Sequence, residues 1–355
     1  MSLPFLHPYI GLSSGLNTRQ AASGGVGGWV ELGRTTLGSV ADTINVSSLA
    51  NKRYYMVLHD LKNSGVIGAN CRMGNSTIDT GANYSNRLST DGGADGTSGN
   101  VTNWSTGIGG TGSFPMFAIQ YIANKSDKEK LIMGHGVEQN TAGAGTAPKR
   151  GENASKWANT SNPMDIYQAI NFSAGDYASG SEVVVLGYDP ADTHTNNFWT
   201  ELASDTLASA GDTFTSSTFT AKKYLWVQGY IINSGTIRVQ LRYNGDTGSN
   251  YSNRGSDNGG ADSTNTSMDR NYIQEDPYAN PVFFNAFIIN NSANEKLGIV
   301  HTIDRGTAGA GTIGVRRETV VKWANTAAQI TSISILQDQS GDMASGSIMK
   351  VWGSD

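Results

Sequence analysis

Cysteine is nearly absent: Cys71 is the one thiol in 355 residues. A lone thiol excludes an internal disulfide and any metal site built from several cysteines. It has no counterpart in the second half of the chain, so it is expected to be a small buried residue. Charge is sparse as well. Charged residues make up 15% of the chain and the net charge is −5, which leaves no positive field to gather the phosphates of a nucleic acid. Long apolar runs are missing too. The opening "MSLPFLHPYIGLSSGLNTRQ" has no basic leader and is broken by Pro4, His7 and Pro8, so it reads as neither a signal peptide nor a membrane span. The expectation is synthesis in a cytoplasm, with no membrane partner.

What the chain does hold is glycine, 44 residues of it, with abundant Ser, Thr and Asn in place of the Ala, Leu, Glu and Lys of helical proteins. Many short strands joined by polar turns fit that composition. The length allows two domains, each able to bury its own core.

The chain also repeats itself. "DTGANYSNRLSTDGGAD" from Asp79 returns as "DTGSNYSNRGSDNGGAD" from Asp246, with 13 of 17 positions identical. "WVELGRTTLGSVADT" at Trp29 matches "WTELASDTLASAGDT" at Trp199, and "KRYYMV" at Lys52 matches "KKYLWV" at Lys222. "EKL" (Glu129, Glu295), "TAGAGT" (Thr141, Thr307), "KWAN" (Lys156, Lys322) and "ASGS" (Ala178, Ala344) recur in the same order, at an offset that drifts from 170 to 166. Two homologous units, 29–189 and 199–355, therefore follow one another, joined by a polar linker, 190–198, that begins with Pro190. The second unit runs to the last residue, so no separate catalytic domain is expected. Residues 1–28 form an unpaired, extended N-terminal arm.

Inside each unit the apolar residues come in short bursts, such as "KKYLWVQGYII" and "NPVFFNAFIINN", bounded by Gly, Asn and Ser. None keeps a helical period, and about eight strands per unit are expected. The fold class that follows is all-β: two tandem jelly-roll-like antiparallel β-sandwiches. An immunoglobulin-like sandwich is the alternative, but its usual length is too short.

The pattern "W-x-E-L-G-x-T-x-L", the central "N-Y-S-x-R … D-G-G" and the closing "A-S-G-S-x-x-x-V-x-G" resemble a repeat of tandem jelly-roll structural proteins in tailed phages and related viruses. The resemblance spans both units. It implies a virion component assembled in a host cytoplasm, such as a decoration or cement protein, and not an enzyme. By the same analogy the chain is expected to be a homo-oligomer, with a trimer as the guess, bound to other capsid or tail proteins. Two alternatives stand beside it: a glycan-binding head or tail appendage, with Trp104 and Trp226 as the aromatics unmatched between units, and a double jelly-roll major capsid protein.

Catalytic candidates are few. His135 and His301 are twins that each follow a "KL" strand start, and no other His or Cys lies near either in sequence, so a strand histidine bonded to a loop carbonyl is expected. Glu31 with Asp42, Glu201 with Asp212, and Asp91 with Asp95 are carboxylate pairs whose spacing along strands does not establish a catalytic separation. Asp95 and Asp262 follow Gly-Gly, where a carboxylate caps its own turn. "GIGGTG" at Gly107–Gly112 has no βαβ unit around it and reads as a surface loop, not a dinucleotide site. No cofactor or metal is expected, although the Asp- and Asn-rich phrases leave calcium open.

Two segments are expected to meet partners. One is the arm, with Phe5, Leu6, Tyr9, Ile10 and Leu12 behind a glycine-rich hinge. The other is the loop in which the second unit departs from the first, with Tyr272, Ile273 and Tyr278. The repeated phrase itself reads as a shared turn motif, in which Asp79, Tyr84 and Arg87, like Asp246, Tyr251 and Arg254, pin a loop or face a neighbour.

Overall fold

The computed structural model describes residues 28–109, 112–192, 196–274, 277, 279–305 and 308–355. The arm residues Phe5, Leu6, Tyr9, Ile10 and Leu12, and Tyr278, lie outside the described residues. Each unit is a jelly-roll-like antiparallel sandwich of one large and one small sheet. In the first unit the large sheet runs, edge to edge, Val30–Thr36, Glu182–Tyr188, Tyr54–Leu61, Met116–Ala123, Lys130–Glu138, Lys149–Trp157, Tyr84–Thr90 and Gly96–Val101. Its small sheet orders Thr43–Val46, Ile166–Ile170, Gly68–Asn75 and Thr77–Ile78, with Trp104–Gly109 also paired to Gly68–Asn75.

The second unit repeats the plan. Its large sheet runs Thr200–Thr206, Ile348–Ser354, Tyr224–Ile231, Val282–Ile289, Lys296–Asp304, Val315–Trp323, Tyr251–Asp257 and Ser263–Met268. Its small sheet holds Thr213–Thr215, Ile333–Leu336, Gln240–Tyr243 and Asn271–Tyr272. Eight strands fill each large sheet alone, so the expected eight per unit is too few. The additional strands are polar. Gly96–Val101 and Ser263–Met268 carry almost no apolar residue, and half of the repeated phrase (Tyr84–Thr90, Tyr251–Asp257) is itself strand. Such strands form through ladder hydrogen bonds to a neighbour already in place, and their sequence holds no burial signal. "GIGGTG" is corrected likewise: its first residues belong to the strand Trp104–Gly109, with Ile108 buried.

The repeated words turn out to bind one another. Asp79 accepts the Trp157 indole N–H at 2.7 Å and the Gly81 amide at 2.8 Å; Asp246 accepts Trp323 at 2.7 Å and Gly248 at 2.8 Å. The Lys130 ammonium lies over the Trp157 ring and donates to the Asn159 carbonyl at 2.8 Å, as Lys296 does over Trp323 to Asn325 at 2.8 Å. The Tyr84 hydroxyl donates to the Met73 carbonyl and Tyr251 to that of Tyr243, in both cases across to the small sheet. Three phrases far apart in sequence thus make one partly buried network, and charge-assisted bonds of this kind contribute up to about 1.5–3 kcal/mol each.

The first and last phrases are joined by a close approach. A β-bulge between Glu31 and Gly33, repeated between Glu201 and Ala203, marks where Leu32 and Leu202 leave the ladder. A Cβ at Gly187 would sit 2.5 Å from Leu32 and 2.7 Å from Lys52, and one at Gly353 would sit 2.6 Å from Leu202 and 2.8 Å from Lys222. The opening Leu, the Lys and the closing Gly are retained together because they share one space.

Alternation along the large-sheet strands places two faces in two different cores. Tyr55 and Val57 point into the sandwich of the first unit, and Leu225 and Val227 into that of the second. Met56, Leu58, Phe117, Ile119, Val137, Val184 and Leu186 point outward and meet Trp199, Tyr224, Phe287, Ile289, Leu297, Ile299, Val320 and Trp352 in a third buried core. The large sheets therefore pack face to face, and the molecule is four layers deep with the small sheets outermost. Cys71 is buried in the first core.

Candidate functional site

The seam between the large sheets gathers the chemistry-bearing side chains. Strand Lys130–Glu138 lies against its own twin, Lys296–Asp304. His135 and His301 meet there edge to face, with ring centroids 4.4 Å apart. Equivalent residues touch only near a twofold axis, so the two units are related by a pseudo-twofold running through the seam. The twins Glu152 and Glu318 approach each other beside the histidines, and Arg150 pairs with both of them and with Asp262 at 2.6 Å.

Sequence reasoning missed this cluster. His135 and His301 lie 166 residues apart, and the signal that could have united them is the repeat itself: outward-facing twins meet if the same face of both units is buried. The expected histidine bond to a loop carbonyl is replaced by contact between the rings. Asp262 does not cap its own turn. It crosses the seam, 2% exposed, into the hairpin of the first phrase, where Gly92 at φ +71° leaves room that a Cβ 2.5 Å from the Asp262 carboxylate would take.

Burial dictates the electrostatics. The His135 pKa is lowered to about 3 by burial, then by His301 and Arg150, so the ring is neutral. The Glu152 pKa is raised to about 7 by burial and by its hydrogen bond to Glu318, against the pull of Arg150. A proton shared between two carboxyl groups relieves their repulsion. The Lys322 pKa falls to about 8 through burial, and its ammonium donates to the carbonyls of Gln139 at 3.1 Å and Thr141 at 2.8 Å in the other unit. Elsewhere along the seam Lys223 joins Asp60 at 3.0 Å and Glu182 at 2.9 Å.

The cleft beside the histidines, lined also by Arg150, Glu152, Ile299 and Glu318, encloses about 170 Å³ including its open mouth. That is below the range of about 300–1,000 Å³ for small-molecule sites. Among the described residues no group of three or more His, Cys, Asp or Glu side chains is placed to hold a metal ion. The arrangement fastens two domains.

The other sequence-predicted residues have definite places. Ile273 is corrected from contact residue to core: it is fully buried in the second sandwich, because the strand Asn271–Tyr272 carries it under the small sheet. Tyr272 is half-buried with the Arg238 guanidinium 4.8 Å over its ring. Tyr84 and Tyr251 are buried; Arg87 is exposed on Asp95, whereas Arg254 reaches the Pro148 carbonyl and Asp91 of the first unit. Trp104 is fully buried, and Trp226 packs among Trp199, Phe287 and Trp352.

No family model matches the chain, and no curated protein matches it. Among solved structures it is similar to domains LG4-5 of the mouse laminin alpha1 chain, at 7% identity over 91% of this chain and 89% of that one, with a TM-score of 0.17. A second likeness is to human GIVD cytosolic phospholipase A2 in complex with methyl gamma-linolenyl fluorophosphonate, at 9% identity over 79% of this chain and 34% of that one, with a TM-score of 0.11. At these TM-scores neither likeness carries an argument.

Proposed function

We propose that this protein is a structural component of a virus particle, of the decoration or cement kind, in which one stiff chain bridges two similar neighbours. One observation carries the reading: the third core fuses two sandwiches back to back, so their small sheets and loops face outward as near-copies related by a pseudo-twofold. A pseudo-symmetric body of this kind offers two like surfaces to two like partners, and the repeat resemblance supplies the class of partner: other virion proteins, with further copies of this chain in a homo-oligomer. Of the two tryptophans that suggested the glycan-binding alternative, Trp104 is fully buried and Trp226 is partly buried against the third core.

Electron microscopy of particles assembled with and without the chain tests this. Density that joins two neighbouring shell or tail subunits is expected, and particles that never retain the chain would overturn the reading.

A further inference from the structure

The pseudo-twofold seam is closed at one end and open at the other. At the closed end, the end of strand Lys130–Glu138 meets the start of strand Lys296–Asp304: Lys322 bonds Gln139 and Thr141, and Glu295 accepts the Gly143 amide at 2.5 Å. The twofold places the start of the first strand, which carries Leu131, opposite the end of the second, which carries Ile303. Both are exposed, at 59% and 48%, whereas their twins Leu297 and Val137 are fully buried in the seam. Met133 is 59% exposed against 4% for its twin Ile299, and Tyr54 is 41% exposed against 0% for Tyr224. Tyr230 completes the apolar lining at 40%.

Strand register makes these residues one surface: Tyr54 is level with Ala123, and Ala123 with Leu131. The chain enters the first sandwich at the same end. Trp29 packs against Tyr188, which stacks on Tyr54. From Tyr188 to Leu131 is three strand spacings, about 15 Å. Residues 1–27 can span about 90 Å when extended, so the arm reaches the open end with most of its length to spare.

We propose that the open end of the seam is the docking groove for the N-terminal arm of the same chain, with residues 4–12 as the docked stretch. In an extended chain alternate residues share a face, which gives Pro4, Leu6, Pro8, Ile10 and Leu12 as an apolar edge suited to Leu131, Met133 and Ile303. The glycine-rich "ASGGVGG" before Trp29 is the tether, and so short a connection raises the arm's effective concentration at the groove. The groove end of the seam is then completed by the arm, as its other end is completed by Gln139 and Thr141. This inference does not depend on the particle reading.

Two measurements test it on the full chain. Leu131→Asp with Met133→Asp should speed proteolysis of the arm about tenfold or more, the effect of losing apolar burial worth about 1.4 kcal/mol. Val40→Asp, at a residue 57% exposed near the opposite end of the first unit, should not. Thermal unfolding should weaken by no more than the loss of that docking, since neither groove residue packs within its own sandwich. In the second measurement, Ile10→Cys with Met133→Cys should form an intramolecular disulfide at dilute protein. Disulfides only between chains would assign the groove to a neighbouring copy's arm and overturn the proposal, as would proteolysis unchanged by the aspartates.

Discussion

Leu131 and Leu297 occupy the same place in two copies of one sandwich, yet the first is 59% exposed and the second is fully buried. Lys156 and Lys322 differ in the same way: one forms a half-exposed pair with Glu129, and the other is enclosed on carbonyls of the opposite unit. Arg87 lies in solvent while Arg254 reaches across the seam. Within each sandwich the copies keep the same network, as the Asp79–Trp157 and Asp246–Trp323 bonds show. Duplication preserved what each fold needs for itself. The copies parted at the face where one unit meets the other, because an imperfect twofold covers different ends of the two sheets.

The largest break in that comparison is expected at Arg150 and its twin Arg316. Arg150→Met leaves the buried Asp262 carboxylate with only the more distant Arg254, 3.8 Å away, at a cost of about 3 kcal/mol; Arg316, 57% exposed on Glu318, should cost about 1 kcal/mol or less. Urea unfolding of the two variants measures the gap, and equal losses would refute a load carried by one side of the seam. Next comes Leu297→Ala, at about 2–5 kcal/mol, against about 0.5 kcal/mol or less for Leu131→Ala. Differential scanning calorimetry separates them, and the arm proposal places any excess at Leu131 in the full chain alone.

The smallest effect concerns pH. Glu152 titrates near 7 in the folded seam and near 4.5 when unfolded, so its contribution is present below pH 4.5 and is lost as pH rises through about 7. His135 has the opposite sign: its contribution is present above pH 6.5 and is lost as pH falls through about 3. Glu152→Gln should remove the loss between pH 5 and 8 and leave the acid limb intact. Unfolding midpoints across that range that track the unaltered protein would show that the carboxyl pair does not set the slope.

Much of the fold was legible in the sequence, and for particular reasons. Repeated words exposed the duplication, and the bursts "KKYLWVQGYII" and "NPVFFNAFIINN" declared strands. The same bursts concealed the seam. Phe287 and Ile289 read as part of a continuous apolar run, and nothing local distinguishes a strand buried on both faces by its own domain from one whose second face is buried by another domain. Ile273 was misplaced for a related reason: in a polar loop an isolated apolar residue looks like a contact, and only the small sheet above it makes it core.

By itself the sequence determined the β class, the two units and the retained turn network. These depend on local pattern and on residues whose roles are satisfied inside one sandwich. Only the tertiary structure decided that His135 meets His301, that Asp262 belongs to Arg150, and which of each pair of twins is buried. Those outcomes arise from two whole sheets docking with an offset, and each residue's burial there depends on a surface that its own stretch of sequence does not encode.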